Sequence, residues 1–137
     1  CRMVLPATRA IEAASIENFI IVVIRRMKMN DNILRELYAV ISDRKENPEE
    51  GSYTCYLFSQ GIDKILKKVG EESAETIIAA KNQNNVDLKN EVCDLIYHLL
   101  VMMKERDLPL EDVFEELEVR SHKIGNLKTM KKVDRNT

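Results

Sequence analysis

The chain has no tryptophan, three prolines, four glycines and only 5% aromatic residues. That scarcity of strand formers and turn formers favours helices over sheet. Low-complexity tracts and internal repeats are absent. Cysteine is sparse as well. Cys1, Cys55 and Cys93 match no metal-ligand spacing and no even disulfide framework, so they read as reduced thiols of a cytosolic protein. Cys93 reads as a small buried residue. Neither sign of charge prevails: 21 basic against 23 acidic residues leave a net charge of −2. Nucleic-acid or membrane-surface binding therefore has no electrostatic case. A long apolar run is missing too. Phe19–Ile24 falls far short of the roughly 20 residues that span a bilayer. Its basic residues, Arg25 and Arg26, follow the run, which makes it a poor signal peptide.

What is present is Leu, Ile, Glu, Lys and Met, in 137 residues that suffice for one domain with a single core. Residues 1–28 have no clear caps or amphipathic period. They are read as a leader, vector-derived or translated upstream, with a natural start at Met27 or Met29. The alternative is an extra strand or helix packed on the domain. The domain proper is expected over residues 29–126, with a basic tail over 127–137 (Lys128, Lys131, Lys132, Arg135). Asn30 or Asp31 can cap a helix carrying Ile33, Leu34, Leu37, Tyr38 and Ile41, which should stop before Asn47-Pro48. Ser52 or Thr54 starts the next element, anchored by Tyr53, Leu57 and Phe58, and Gly61 marks a break. A long helix is predicted from about Ile62 to Lys81, with an apolar stripe at Ile62, Leu66, Val69, Ile77 and Ala80. Gly70 within it is either tolerated or allows close approach of a helix or phosphate. A turn at Asn82–Asn85 leads to a helix from Val86 or Asp87 to Glu105, with a stripe at Leu88, Val92, Leu95, Leu99 and Met102. From Leu95 to Met103 that helix is apolar nearly all round and must be buried on most sides. Pro109 suits the first turn of a last helix carrying Leu110, Val113, Phe114 and Leu117, closed by Gly125 or a short extension. The expected fold is all-α, a bundle of about four to five helices whose core is completed by dimerisation.

Two pairs of carboxylates stand out. Glu72 and Glu75 are three residues apart on one predicted helix, and Glu91 and Asp94 are three apart on the next. Residues at that spacing are neighbours on a helix surface. Two such helices packed together bring four anions to one spot, where they repel. A hard divalent cation relieves that repulsion, and an all-oxygen set suits Mg²⁺, with phosphate chemistry to match. The competing reading is chance pairing on solvated faces of a charged chain. Glu72, Glu91 and Asp94 border the apolar stripes rather than oppose them, which weighs against it.

The pattern Glu-x-x-Glu, about fifteen residues, then Glu-x-x-Asp resembles the all-α nucleoside-triphosphate pyrophosphohydrolases of the MazG-like and dimeric dUTPase superfamily. The motif Ser52-Tyr53-Thr54 and the strings Lys67-Lys68-Val69-Gly70-Glu71-Glu72 and Asp94-Leu95-Ile96-Tyr97-His98 point within it to the phosphoribosyl-ATP pyrophosphohydrolases of histidine biosynthesis. The resemblance covers roughly residues 30–122. It implies hydrolysis of phosphoribosyl-ATP to phosphoribosyl-AMP and pyrophosphate; the homodimer is expected separately, from the apolar Leu95–Met103 stretch that one small domain can hardly cover. The resemblance also implies Mg²⁺ on Glu72, Glu75, Glu91 and Asp94, with Glu71 or Glu72 orienting or deprotonating water. Lys64 and Lys68 become phosphate contacts, although Lys68 could equally form an ordinary i,i+4 salt bridge to Glu72. His98, one turn beyond Asp94, either serves a ligand or the substrate or is a satisfied core histidine. Arg120 either reaches a phosphate or ribose or simply favours a helix C-terminus. The rivals are a house-cleaning hydrolase of (d)NTPs using the same four acids, and a non-catalytic dimerisation module. A di-iron bundle is disfavoured, because neither histidine follows a Glu by three residues.

Overall fold

The computed structural model describes residues 7–27 and 32–123. All six described elements are helices: α1 (Ala7–Met27), α2 (Ile33–Glu46), α3 (Tyr53–Gln60), α4 (Ile62–Lys81), α5 (Asn85–Glu105) and α6 (Leu110–Ser121). The chain divides into two compact units between residues 34 and 35. In the first, α1 occupies the segment read as a leader, and its Phe19, Ile20, Ile21, Val22 and Ile24 side chains are exposed. No described helix is long and apolar enough to cross a membrane. Asn30 and Asp31, expected to cap α2, lie outside the described residues. So do Gly125 and the basic tail.

In the second unit the main joint is α4 against α5, an antiparallel pair joined by three residues. Gln83 turns the chain with φ 57, and the Asn84 side chain accepts a hydrogen bond from the Asp87 N–H at 3.2 Å to cap α5. The α3–α4 break is sharper. Gly61 alone separates the two helices at φ 84, a left-handed conformation in which a Cβ would be strained. Ser52 caps α3 through the Cys55 N–H. Pro109 sits one residue earlier than expected, just outside α6 rather than in its first turn.

The buried line of α4 differs from the predicted stripe. Ile65, Glu72 and Ala79 are buried, while Leu66, Ile77 and Ala80 face outward. The buried positions recur every seven residues, so a carboxylate occupies a seam position between two apolar ones. A straight wheel centred on Ile62 placed that seam on the wrong side. On α5 the stretch from Leu95 to Met103 has no exposed residue, as its composition requires, and Val101 is fully buried. Ile41, Leu57, Ile65 and Val101 form the tight core, each worth about 1.5–3 kcal/mol of burial. On the same two helices Leu66, Ile77, Ile78, Val86 and Val92 are exposed. Cys93, expected to be buried, is exposed too.

Polar links join α2 to α5 and α6 within this unit. Arg35 forks onto Glu111 (2.6 and 3.2 Å) and lies 4.7 Å over the Phe114 ring, joining α2 to α6. The Tyr38 hydroxyl donates to the Leu108 carbonyl at 2.7 Å. Lys45 meets Glu105 at 3.2 Å, and Lys104 meets Glu46 at 3.2 Å, joining α2 to α5.

Candidate functional site

Helix α4 contributes Glu72 from its buried seam, and α5 contributes Glu91 and Asp94 from adjacent turns. One carboxylate oxygen of each lies within 4.8 Å of the others. This is a direct result of the i, i+3 spacing on one helix meeting a seam position on the other. Glu75, the fourth expected ligand, stays at the exposed edge, where it interacts with both Glu72 and Glu91. It also lines a 280 Å³ cavity with Glu91, Asp87, Asn82 and Asn84.

The electrostatics split the cluster. Burial pushes the Glu72 carboxyl up, but the Lys68 ammonium outweighs it and holds Glu72 below the usual carboxylate range. Lys68 Nζ stands 3.0 Å from Glu72 Oε1 and 3.0 Å from Glu71 Oε2, and those two hydrogen bonds raise its own pKa. Glu91 shifts the opposite way. Burial raises it first, and the Glu75, Glu72 and Asp94 carboxylates add to the rise. Its Oε2 atom is buried with no hydrogen-bond partner. A buried acceptor without a donor is costly. Three converging carboxylates, one with an orphaned oxygen, fit a hard oxygen-seeking cation such as Mg²⁺. Glu72, Glu91 and Asp94 would hold it, with Glu75 at the rim.

Beneath the cluster lies His98, only 4% exposed. Its Nδ1 is 2.7 Å from the Asp94 carbonyl oxygen, which can only accept, so Nδ1 carries the hydrogen. The same nitrogen is 4.0 Å from Glu72 Oε1. The Tyr53 hydroxyl is 3.3 Å from Nε2. Both ring nitrogens are therefore engaged, and the Tyr53 and Tyr97 rings meet the imidazole edge-on at 6.1 and 5.1 Å. Tyr97 in turn shares a short hydrogen bond with Thr54. Tyr53 and Thr54 thus brace Tyr97 and His98 of α5. From the sequence, Tyr53 reads as an apolar anchor and as part of the Ser52-Tyr53-Thr54 motif, with no role assigned to its hydroxyl. Its partner is 45 residues away, and no local pattern signals such a contact.

The remaining candidates sit apart from the carboxylates. Glu71 is at the surface of α4, between Lys67 (3.6 Å) and Lys68 (3.0 Å). Those ammonium groups hold its carboxyl below the usual range, with the Lys68 hydrogen bond foremost. Lys64 is half-buried one turn before Lys68 and makes no ion pair with a described residue. Arg120 is exposed on α6 and is paired with Glu116 at 2.7 Å on its own helix. A methyl group at Gly70 would meet nothing within 4 Å, so no described residue exploits a close approach there.

Comparison with known proteins places these features. The family model described as phosphoribosyl-ATP pyrophosphohydrolase matches residues 34–121. The phosphoribosyl-ATP pyrophosphatase of Clostridium novyi is 60% identical over 99 residues, 72% of this chain and 90% of that protein. Its namesake from Clostridium acetobutylicum is 59% identical over 98 residues, covering 72% and 89%. A histidine biosynthesis bifunctional protein HisIE from Thermoanaerobacter pseudethanolicus is 61% identical over 87 residues, 64% of this chain and 40% of that longer protein.

Proposed function

The chain belongs to the phosphoribosyl-ATP pyrophosphohydrolase family, and from that membership we propose a Mg²⁺-dependent hydrolysis carried by the α4–α5 carboxylates. The protein is a hydrolase of phosphoribosyl-ATP: water enters one side of the α–β phosphoanhydride, and phosphoribosyl-AMP and pyrophosphate leave. The observation that carries the metal reading is the meeting of Glu72, Glu91 and Asp94 around an unpartnered Glu91 oxygen. Bound Mg²⁺ supplies charge neutralisation for the polyphosphate and a lowered pKa for the attacking water. Lys68 steadies Glu72 at 3.0 Å and adds positive charge on the side where phosphate oxygens arrive. Lys64, one turn away, extends that face. Glu72 is better placed than Glu71 to orient the water, because Glu71 faces the surface lysines. His98 acts from behind, holding the Asp94 backbone and flanking Glu72. Arg120 contributes to substrate binding only from a second copy or a moved α6.

The working unit is a homodimer. Leu66, Ile77, Ile78, Val86 and Val92 are exposed apolar side chains of α4 and α5, and a second copy would cover apolar surface of this kind. Residues 1–28 remain a leader in this reading, and the tail over 127–137 a basic appendage. The free thiols Cys55 and Cys93 fit a reducing compartment, the cytoplasm. The test is a substrate panel. Purified protein is given phosphoribosyl-ATP or single (d)NTPs, with Mg²⁺ or EDTA, and pyrophosphate is measured. Release from phosphoribosyl-ATP alone, and only with Mg²⁺, is the expected result. Equal release from dNTPs favours the house-cleaning reading, and none at all favours a dimerisation module.

A further inference from the structure

A second concavity lies beside the metal-side residues. It is a groove of about 560 Å³ at the start of α3, within the 300–1,000 Å³ typical of small-molecule sites. Its wall is aromatic. The Tyr53 and Tyr56 rings are 6.1 Å apart and inclined by 27°, and they are 48% and 45% exposed. None of its lining residues is basic, and Glu49 stands on its rim. The Arg44 guanidinium beside Glu49 is already paired with it at 2.7 Å, so a phosphate group would find no lining counter-charge there. A flat, uncharged ring would find a π surface. The frame is already fixed. Cys55 Sγ accepts from the Glu49 N–H at 3.3 Å and donates to the Arg44 carbonyl at 3.2 Å, so the loop before α3 is pinned to the end of α2. Ser59 Oγ donates to the Tyr56 carbonyl at 2.7 Å.

One residue of the groove reaches toward the carboxylates through His98. Tyr53 forms the wall with its ring and touches His98 Nε2 with its hydroxyl, and His98 Nδ1 is 4.0 Å from Glu72 Oε1. A ligand stacked on the tyrosines would therefore lie one histidine away from the carboxylates. We propose that this groove takes the purine nucleoside portion of the substrate, stacked on Tyr53 and Tyr56, while the acidic cluster takes the phosphates. The inference rests on the nucleotide-hydrolase reading above and adds where the base is gripped. It also divides the labour by chemistry: the carboxylates and lysines handle charge, and the tyrosines handle the ring.

Two measurements test it. In the first, AMP, pyrophosphate and ribose 5-phosphate are titrated separately while tyrosine ring resonances are followed by NMR, assigned with Tyr53→Phe and Tyr56→Phe. AMP should shift the Tyr53 and Tyr56 signals, and the other two should not. Unmoved signals with AMP, or equal shifts with ribose 5-phosphate, overturn the proposal. In the second, Tyr56→Ala should raise KM for phosphoribosyl-ATP by about 5- to 140-fold, the usual span for one lost base–aromatic stack, with the loss on KM rather than kcat. Tyr56→Phe should restore KM, since the ring remains. A Tyr56→Ala KM within twofold of the parent, or a loss on kcat alone, overturns it. Failure of the unmodified protein to release pyrophosphate would count against the hydrolase reading instead, and the AMP titration would still decide the groove.

Discussion

Replacing Glu72 with Gln should separate the structural from the functional weight of the buried carboxylate. In the folded protein Glu72 is 5% exposed and accepts a charge-assisted hydrogen bond from Lys68 at 3.0 Å. Gln keeps the shape and one acceptor. Lys68 keeps its second partner, Glu71, at 3.0 Å. The metal-free cost is then the difference between a charged and a neutral hydrogen bond, about 1 kcal/mol. The metal-loaded cost is larger. At a hundredfold excess over its Kd, Mg²⁺ should stabilise the parent by about 2.7 kcal/mol. If Gln weakens binding a hundredfold, the same concentration stabilises the variant by only about 0.4 kcal/mol. For a domain near 100 residues these increments correspond to about 10–20 °C and about 2–3 °C in Tm. The assay is a pair of thermal melts, in EDTA and in Mg²⁺, with pyrophosphate release measured on the same samples. A Glu72→Gln protein that keeps the full Mg²⁺ increment, or a parent that shows none, refutes the carboxylate-site argument.

Glu91 should behave oppositely in the absence of metal. Its folded carboxyl is raised above the ordinary value by burial and by three neighbouring acids. Such a group favours the folded state most at low pH, and that advantage is lost as pH rises through the raised value. Glu91→Gln should therefore be more stable than the parent in EDTA on the alkaline side of that raised value and less stable in Mg²⁺; melts across the acid-to-neutral range read the crossover. Glu72 has the reverse sign, with its folded value depressed, so its contribution is present above the ordinary range and disappears on acidification. Ile65→Ala, at a fully buried seam position, should cost about 2–5 kcal/mol by urea denaturation without altering the carboxylates. Gly70→Ala should stabilise by about 0.5–1 kcal/mol, because the methyl group meets open space in a helix. A change of oligomeric state in that variant would instead mean that a second copy approaches at Gly70.

Much of this protein was legible in its sequence because much of it is local. Helix limits follow from caps and breakers, and Ser52, Gly61, Asn84 and the Asn47-Pro48 step lie where the helices start and stop. The four carboxylates were legible for the same reason, since i, i+3 spacing fixes two neighbours on any helix. Which face of α4 turns inward was not legible. The wheel chose Leu66 and Ile77, whereas the fold buries Ile65, Glu72 and Ala79, because docking against α5 rather than local hydrophobicity selects the seam. The tertiary arrangement alone decided that Glu75 stays at the rim, that Glu91 carries an unsatisfied oxygen, and that Tyr53 reaches His98 across 45 residues. Those relations depend on how two helices rotate about their axes, and a one-dimensional pattern does not specify that angle when both faces of a helix are partly apolar.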